Sequence, residues 1–88
     1  MTELRLRGAD LHWREIDGEV IALEARRSTY LAANGAGTVL WRALAEGTTR
    51  DGLADELIRV YGIDRERALA DVDRFIDSLV QQGLCTKG

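Results

Sequence analysis

Few side chains in this sequence belong to the types that carry out covalent or metal chemistry. His12 is the only histidine and Cys85 the only cysteine among the 88 residues. A catalytic thiol needs a base within hydrogen-bond reach, and a metal site needs several ligands at matched spacing. Neither residue has such a partner nearby in the sequence. We therefore interpret His12 as an exposed strand residue and Cys85 as a small packed or surface residue.

Three aspartates, Asp71, Asp73 and Asp77, raise the possibility of acid–base or metal chemistry. On a helix only Asp73 and Asp77 share a face, so we interpret the group as a solvated helix surface. Gly35-Ala36-Gly37 precedes a helical pattern but lacks the lysine and the further glycines of phosphate-binding loops. It predicts a tight turn into a helix. We expect no catalytic residue, no metal site and no cofactor.

Composition restricts the class of protein. The chain is 45% hydrophobic and 31% charged, an ordinary balance for one small globular domain, which we place at residues 1–88. The net charge of −3 gives no general attraction to nucleic acid or to an anionic membrane. Leu4 and Leu6 alternate with arginines and form no continuous apolar stretch, so we expect no export signal and a cytoplasmic location.

A hairpin and a third strand are predicted first along the chain. Residues 11–16 alternate, with Leu11 and Trp13 on one face, and Asp17-Gly18 is a strong signal for a two-residue turn. The return strand is expected at residues 19–26 and a third strand at residues 29–31. No proline occurs in the chain, so every backbone N–H remains available for pairing at a sheet edge.

Three helices follow in the prediction. Asn34 is expected to cap the first helix, Thr48 or Thr49 the second, and Asp64 the third. Gly47, Gly62 and Gly83 are expected to end them. The predicted inner positions of the first helix are Val39, Leu40, Ala43 and Leu44, with Trp41 on the flank. Those of the second helix are Leu53, Leu57, Ile58 and Tyr61. Those of the third helix are Leu69, Val72, Ile76, Leu79, Val80 and Gly83, and Leu84 is expected to pack back against the helix. The predicted class is α+β, a three-stranded antiparallel sheet followed by three helices, similar to a winged helix.

The order of apolar positions, glycines and one asparagine between residues 30 and 84 is more specific than any of them alone. It comprises Tyr30-Leu31, Asn34, Leu40-Trp41, Gly47-Thr48, Leu53, Leu57, Tyr61-Gly62, Val72, Phe75-Ile76, Leu79 and Gly83-Leu84. This order resembles the PqqD-like family, small domains that recognise the leader segment of ribosomally made precursor peptides. The resemblance covers about residues 11–85. It is greatest to the free-standing leader-binding subunit of split lasso-peptide systems.

The resemblance implies a binding protein that does no chemistry itself. Its partners would be a precursor leader peptide, a cysteine protease subunit that cuts the leader, and a possible cyclase. The leader would lie antiparallel to the third strand, between that strand and the third helix. The family usually has Leu-Asn before the first helix, whereas Ala32-Ala33 separates Leu31 from Asn34 here. The resemblance therefore does not fix the register of the third strand.

Mapped onto this sequence, the resemblance implies two sets of peptide-binding residues. Phe75 has two interpretations, as a core residue or as a wall of the groove, and Arg26-Arg27 is either a solvated strand end or part of the binding edge. The strand set is Arg27, Ser28, Thr29, Tyr30, Leu31, Ala32 and Ala33, and the helix set is Ala68, Asp71, Val72, Phe75, Ile76 and Leu79.

Two other classes of function remain as alternatives. A winged helix can bind DNA with a recognition helix, but residues 64–82 contain five acids against three bases. A charge of −2 on the element that would meet phosphate disfavours DNA as a ligand. A small enzyme would need a nucleophile and base, and the sequence shows no such pair.

Overall fold

The computed structural model describes residues 3–7, 10–26 and 28–86. The three predicted strands and three predicted helices occur in the predicted order, and the α+β class with a three-stranded antiparallel sheet and three helices is confirmed. The strands are β1 (Glu3–Leu6), β2 (Leu11–Ile16), β3 (Glu19–Glu24), β4 (Thr29–Ala33), β5 (Thr48–Thr49) and β6 (Cys85–Thr86). The helices are α1 (Ala36–Glu46), α2 (Arg50–Tyr61) and α3 (Arg65–Gln81).

The main sheet has the order β2-β3-β4 and is antiparallel throughout. Asp17 and Gly18 both have positive φ, of 52° and 78°, as a two-residue hairpin turn of the favoured hand requires. The predicted hairpin is therefore confirmed. The return strand is shorter than predicted and ends at Glu24 rather than residue 26, because the chain turns at Ala25, whose carbonyl accepts from the Ser28 N–H at 3.3 Å. β4 extends two residues beyond the predicted end at residue 31.

A second, small sheet has the order β5-β1-β6, and the sequence analysis did not predict it. β1 pairs with β5 on one side and with β6 on the other, joining the beginning of the described chain to its end. Two-residue strands carry no periodic signal, and their pairing depends on contacts distant in sequence. Leu4, which the sequence analysis considered only as part of a possible export signal, is buried in this sheet.

The start of α1 differs from the prediction. The residue before the helix is Gly35, with φ of 54°, and no side chain caps the first turn, so the predicted cap by Asn34 is wrong. Glycine reaches this conformation without the clash that a Cβ causes. Gly47, with φ of 88°, ends α1 as predicted.

The other two helices begin as predicted, and α2 also ends as predicted. α3 ends with Gln82 as its C-cap, and the predicted Gly83 follows with φ of 75°. Thr49, one of the two predicted candidates, accepts a hydrogen bond from the Gly52 N–H at 3.0 Å. Gly62 ends α2 in the left-handed conformation. At α3 the Asp64 carboxylate accepts from the Arg67 N–H at 2.8 Å, which satisfies a free donor of the first turn.

One apolar core joins the sheets and helices. Trp41 lies fully inside it and contacts Trp13 edge to face, with ring centroids 5.9 Å apart, so its predicted place on the flank of α1 is wrong. Tyr61 and Val80, predicted at inner positions, are exposed because each lies near the end of its helix. The buried apolar residues are Leu4, Val20, Ala22, Leu40, Trp41, Leu44, Leu53, Ala54, Leu57, Ala68, Val72, Ile76, Leu79, Leu84 and Cys85.

Ion pairs connect the elements at the surface. Arg50 donates two hydrogen bonds to Asp73, at 2.7 and 2.8 Å, and so joins the start of α2 to α3. Arg42 of α1 pairs with Glu15 of β2. The hydrogen bond from Arg42 holds the pKa of Glu15 below its ordinary value, and the same contact raises the pKa of Arg42.

Candidate functional site

β4 forms one edge of the main sheet. It pairs with β3 on one side, and in the described part of the chain no strand pairs with its other side. An unpaired strand edge presents backbone N–H and C=O groups that another chain can bind. The register of the sheet determines which residues present those groups.

Hydrogen bonds alternate along β3, and this alternation shows which residues of β4 face the free edge. The Ala25 N–H donates to the Asp10 carbonyl at 3.1 Å, so odd-numbered residues of β3 direct their backbone groups towards β2. Even-numbered residues of β3 then face β4, where Val20 pairs with Ala33 and Ala22 with Leu31. The backbone groups of 29, 31 and 33 are thereby used within the sheet. Those of Tyr30 and Ala32 point to the free edge.

The side chains of β4 alternate between the two faces of the sheet. Thr29, Leu31 and Ala33 are half-buried and face the helices, and Leu31 and Ala33 pack against the core. Tyr30 and Ala32 are exposed on the opposite face, and 62% of Tyr30 is accessible to solvent. A strand added to this edge would therefore place alternate side chains against an inner and an outer surface.

Phe75 of α3 lies close to the C-terminal end of β4, with Gly37 between them. A Cβ placed on Gly37 would lie 3.2 Å from the Ala33 Cβ and 3.7 Å from the Phe75 Cε1. The absence of a side chain at Gly37 lets the first turn of α1 approach both residues. Phe75 itself is half-buried and packs against the core while keeping part of its ring accessible. Strand and helix thus meet at an apolar wall.

The other predicted helix residues lie deeper. Ala68, Val72, Ile76 and Leu79 are buried and belong to the core in the unbound chain. Asp71 is half-buried and forms ion pairs with Arg74 and, at 4.0 Å, with Arg67. The accessible side chains of the predicted helix set are therefore Phe75 and Asp71.

The C-terminal end of β4 is held in place. At its C-terminal end the buried Thr38 hydroxyl lies 2.8 Å from the Gly18 carbonyl and 3.1 Å from the Ala33 carbonyl, and so connects the hairpin turn to the strand. Before its N-terminal end Ser28 has φ of 53°, a conformation that non-glycine residues rarely adopt. Arg27, also predicted at this site, lies outside the described residues. A prepositioned edge lowers the ordering cost of binding.

Two of these contributors were missed in the sequence. The sequence predicts Gly37 only as part of a turn, and it predicts no role for Thr38. A glycine inside a helical pattern was the available signal, because such a glycine often marks a close approach.

The described residues contain neither a cluster of metal-ligating side chains nor a membrane-spanning helix. Within residues 3–7, 10–26 and 28–86, no group of three or more histidine, cysteine, aspartate or glutamate side chains could hold a metal ion. In the same part of the chain, no helix has the length and apolar character needed to cross a membrane.

Comparisons with known proteins agree with this fold. A solved structure described as TbiB1 in complex with the TbiA(beta) leader peptide superposes with a TM-score of 0.87 at 24% identity, covering 96% of each chain. A structure of lasso peptide synthetase B1 complexed with the leader peptide gives a TM-score of 0.81 at 23% identity, covering 94% of this chain and 96% of the other. Among curated proteins no sequence matches this chain. The model of the family described as coenzyme PQQ synthesis protein D (PqqD) matches residues 19–84, and the chain therefore belongs to the PqqD family.

Proposed function

We propose that this chain binds the leader segment of a ribosomally synthesised precursor peptide by strand addition at β4. In this proposal it presents the leader to a partner leader peptidase and to other maturation enzymes in the cytoplasm. The observation that carries the proposal is the free edge of β4, where the backbone groups of Tyr30 and Ala32 point outwards beside Phe75. Such an edge suits recognition of an extended peptide through its main chain.

The two parts of the edge contribute differently to recognition. Backbone pairing at Tyr30 and Ala32 supplies affinity that depends little on peptide sequence. Selectivity comes from inward-facing peptide side chains, which meet Leu31, Ala33 and the accessible part of Phe75. An apolar or aromatic side chain is the expected anchor there. The free leader is disordered, so these contacts must exceed the cost of ordering it.

Two observations from related proteins support a peptide ligand. Both similar solved structures are complexes with a leader peptide. The likeness extends over nearly the whole of each chain, so a chain of this fold can accommodate a leader peptide. Eight further residues complete the proposed binding region, and the buried ones among them act by supporting its wall. They are Arg27, Ser28, Thr29, Asp71, Ala68, Val72, Ile76 and Leu79.

The contribution to maturation is tethering, without catalysis by this chain. A peptide held by its leader has a high effective concentration near an enzyme bound to the same complex. The protein should therefore lower the apparent Michaelis constant of the partner protease for the full precursor. A cyclase that acts on the same precursor would gain in the same way.

Titration of a fluorescent leader peptide against the purified protein tests the proposal. The probe is the synthetic leader peptide of a candidate precursor encoded near this chain's gene, and the control is a scrambled peptide of the same composition. We expect saturable binding of the leader alone. Equal binding of both peptides, or of neither, would show that the edge does not recognise a leader.

A processing assay tests the tethering role. The precursor is incubated with the partner protease, with and without this protein, and cleavage is followed by mass spectrometry. We expect faster cleavage at low precursor concentration when the protein is present, and an intact precursor when the protein is alone. Cleavage by the lone protein would show that it is an enzyme.

A further inference from the structure

The outer face of the main sheet carries an apolar surface that continues to the edge of β4. Leu23 and Tyr30 are cross-strand partners on this face, and their exposed fractions are 45% and 62%. In the next row Ile21 is paired with Ala32. The inner groove does not use these side chains, because they point away from α3.

Strand addition would extend both rows by one residue. Tyr30 directs its backbone groups to the free edge, so the leader residue opposite it would form a hydrogen-bonded pair with it. The side chain of that leader residue must project on the same face as the Tyr30 ring, with the two Cβ atoms about 5 Å apart. The next leader residue of the same parity would lie opposite Ala32, whose small side chain leaves Ile21 accessible beside it.

We propose that the outer face is a second recognition surface for the leader, in which Tyr30 selects an apolar side chain at the leader position opposite it. This inference rests on the proposed strand addition and concerns leader positions of the opposite parity to those in the groove. The leader would then be recognised on both faces of the added strand.

The composition of the surface determines the kind of side chain selected. Tyr30 and Leu23 are the nearest members of the row, and both present apolar surface. The charged or titratable residues in the two rows, His12 and Arg14, lie on β2, which is separated from the leader by β3 and β4. An aliphatic or aromatic leader side chain would cover the Tyr30 ring and join a continuous apolar row, whereas a charged side chain would gain no partner there.

A double-mutant experiment tests this selection. Affinities of the synthetic leader and of a set of single alanine variants of it are measured for the parent protein and for Tyr30→Ala. We expect Tyr30→Ala to weaken binding of the unchanged leader by about 2- to 5-fold, the range of a cross-strand pair. The loss should vanish for one leader variant, because alanine there has already removed the side chain that contacts Tyr30. Tyr61→Ala is the matched control, since Tyr61 is also exposed, at 47%, but lies at the end of α2.

The possible results separate this inference from the proposed function. If the parent protein fails to bind the leader, strand addition itself is wrong and so is the outer surface that depends on it. If the parent binds but Tyr30→Ala binds equally well, the outer surface takes no part in recognition and the proposed function stands. The same conclusion follows if the loss is equal for every leader variant. Circular dichroism of Tyr30→Ala confirms that the comparison is made between folded proteins.

Discussion

Proline at position 32 should weaken leader binding while leaving the protein folded. The Ala32 N–H points to the free edge of β4 and does not pair with β3, so Ala32→Pro removes a donor that only an added strand would use. The small side chain of Ala32 is exposed, so little packing is lost. One lost hydrogen bond, with a leader carbonyl left unpaired, corresponds to about 1–2 kcal/mol. The dissociation constant should therefore rise about 5- to 30-fold in a fluorescence titration.

The adjacent position supplies the reciprocal control. The Leu31 N–H faces β3, where Leu31 is paired with Ala22, so Leu31→Pro breaks the sheet itself. The free energy of unfolding of that variant, measured by chemical denaturation, should be lower by about 1–3 kcal/mol. Ala32→Pro should show a much smaller loss. Unchanged leader affinity in a folded Ala32→Pro variant would refute strand addition at this edge, and equal destabilisation by the two prolines would refute the assigned alternation.

Three further perturbations test the groove, a helix cap and an ion pair. Phe75→Ala should weaken leader binding by about 1–3 kcal/mol. Because the ring is only half-buried, the loss of stability should be smaller than the roughly 3–5 kcal/mol expected for a fully buried phenylalanine. A variant that keeps the parent's affinity but has a much lower melting temperature would identify Phe75 as a purely core residue. Asp64→Ala should lower the free energy of unfolding by about 0.5–2 kcal/mol in denaturant titrations, because it removes the cap of α3. Leader affinity should be unchanged. Glu15→Gln should be slightly less stable than the parent at neutral pH, since the hydrogen bond from Arg42 lowers the Glu15 pKa in the folded state. This contribution to stability is present above the unfolded pKa and is lost as pH falls through the folded pKa, so the melting temperatures of variant and parent should converge in acid. A difference in melting temperature that persists in acid would exclude the ion pair as its cause.

The parts of the fold that the sequence predicted are those controlled by neighbouring residues. Asp17-Gly18 can form the hairpin turn whatever the rest of the chain does, and the caps at Asp64 and Gly62 act within one helical turn. Asn34 has the right side chain for a cap, but Gly35 with its positive φ precedes α1 instead, and no side chain caps the first turn. Local signals do not distinguish such competing solutions.

The elements that the sequence could not predict depend on distant contacts. Trp41 is buried because Trp13 of β2 covers it, and no helical periodicity contains that information. At the candidate site, the resemblance indicated the strand and helix, but the distinction between Tyr30 and Leu31 required the register. The assignment of peptide contacts to these residues remains a prediction.

The pairing of β1 with β6 has a consequence for the order of folding. Leu6 pairs with Cys85, so this contact closes a loop that contains nearly the whole described chain, whereas β2, β3 and β4 pair with neighbours joined by short turns. Closing a long loop costs more entropy than closing a short one, so the small sheet should form last, after the main sheet that carries the binding edge. During synthesis, Leu6 would then lack its β6 partner until Cys85 has been made. Pulsed hydrogen exchange during refolding would reveal this order as later protection of the β1 amides than of those in β3, and simultaneous protection would contradict it.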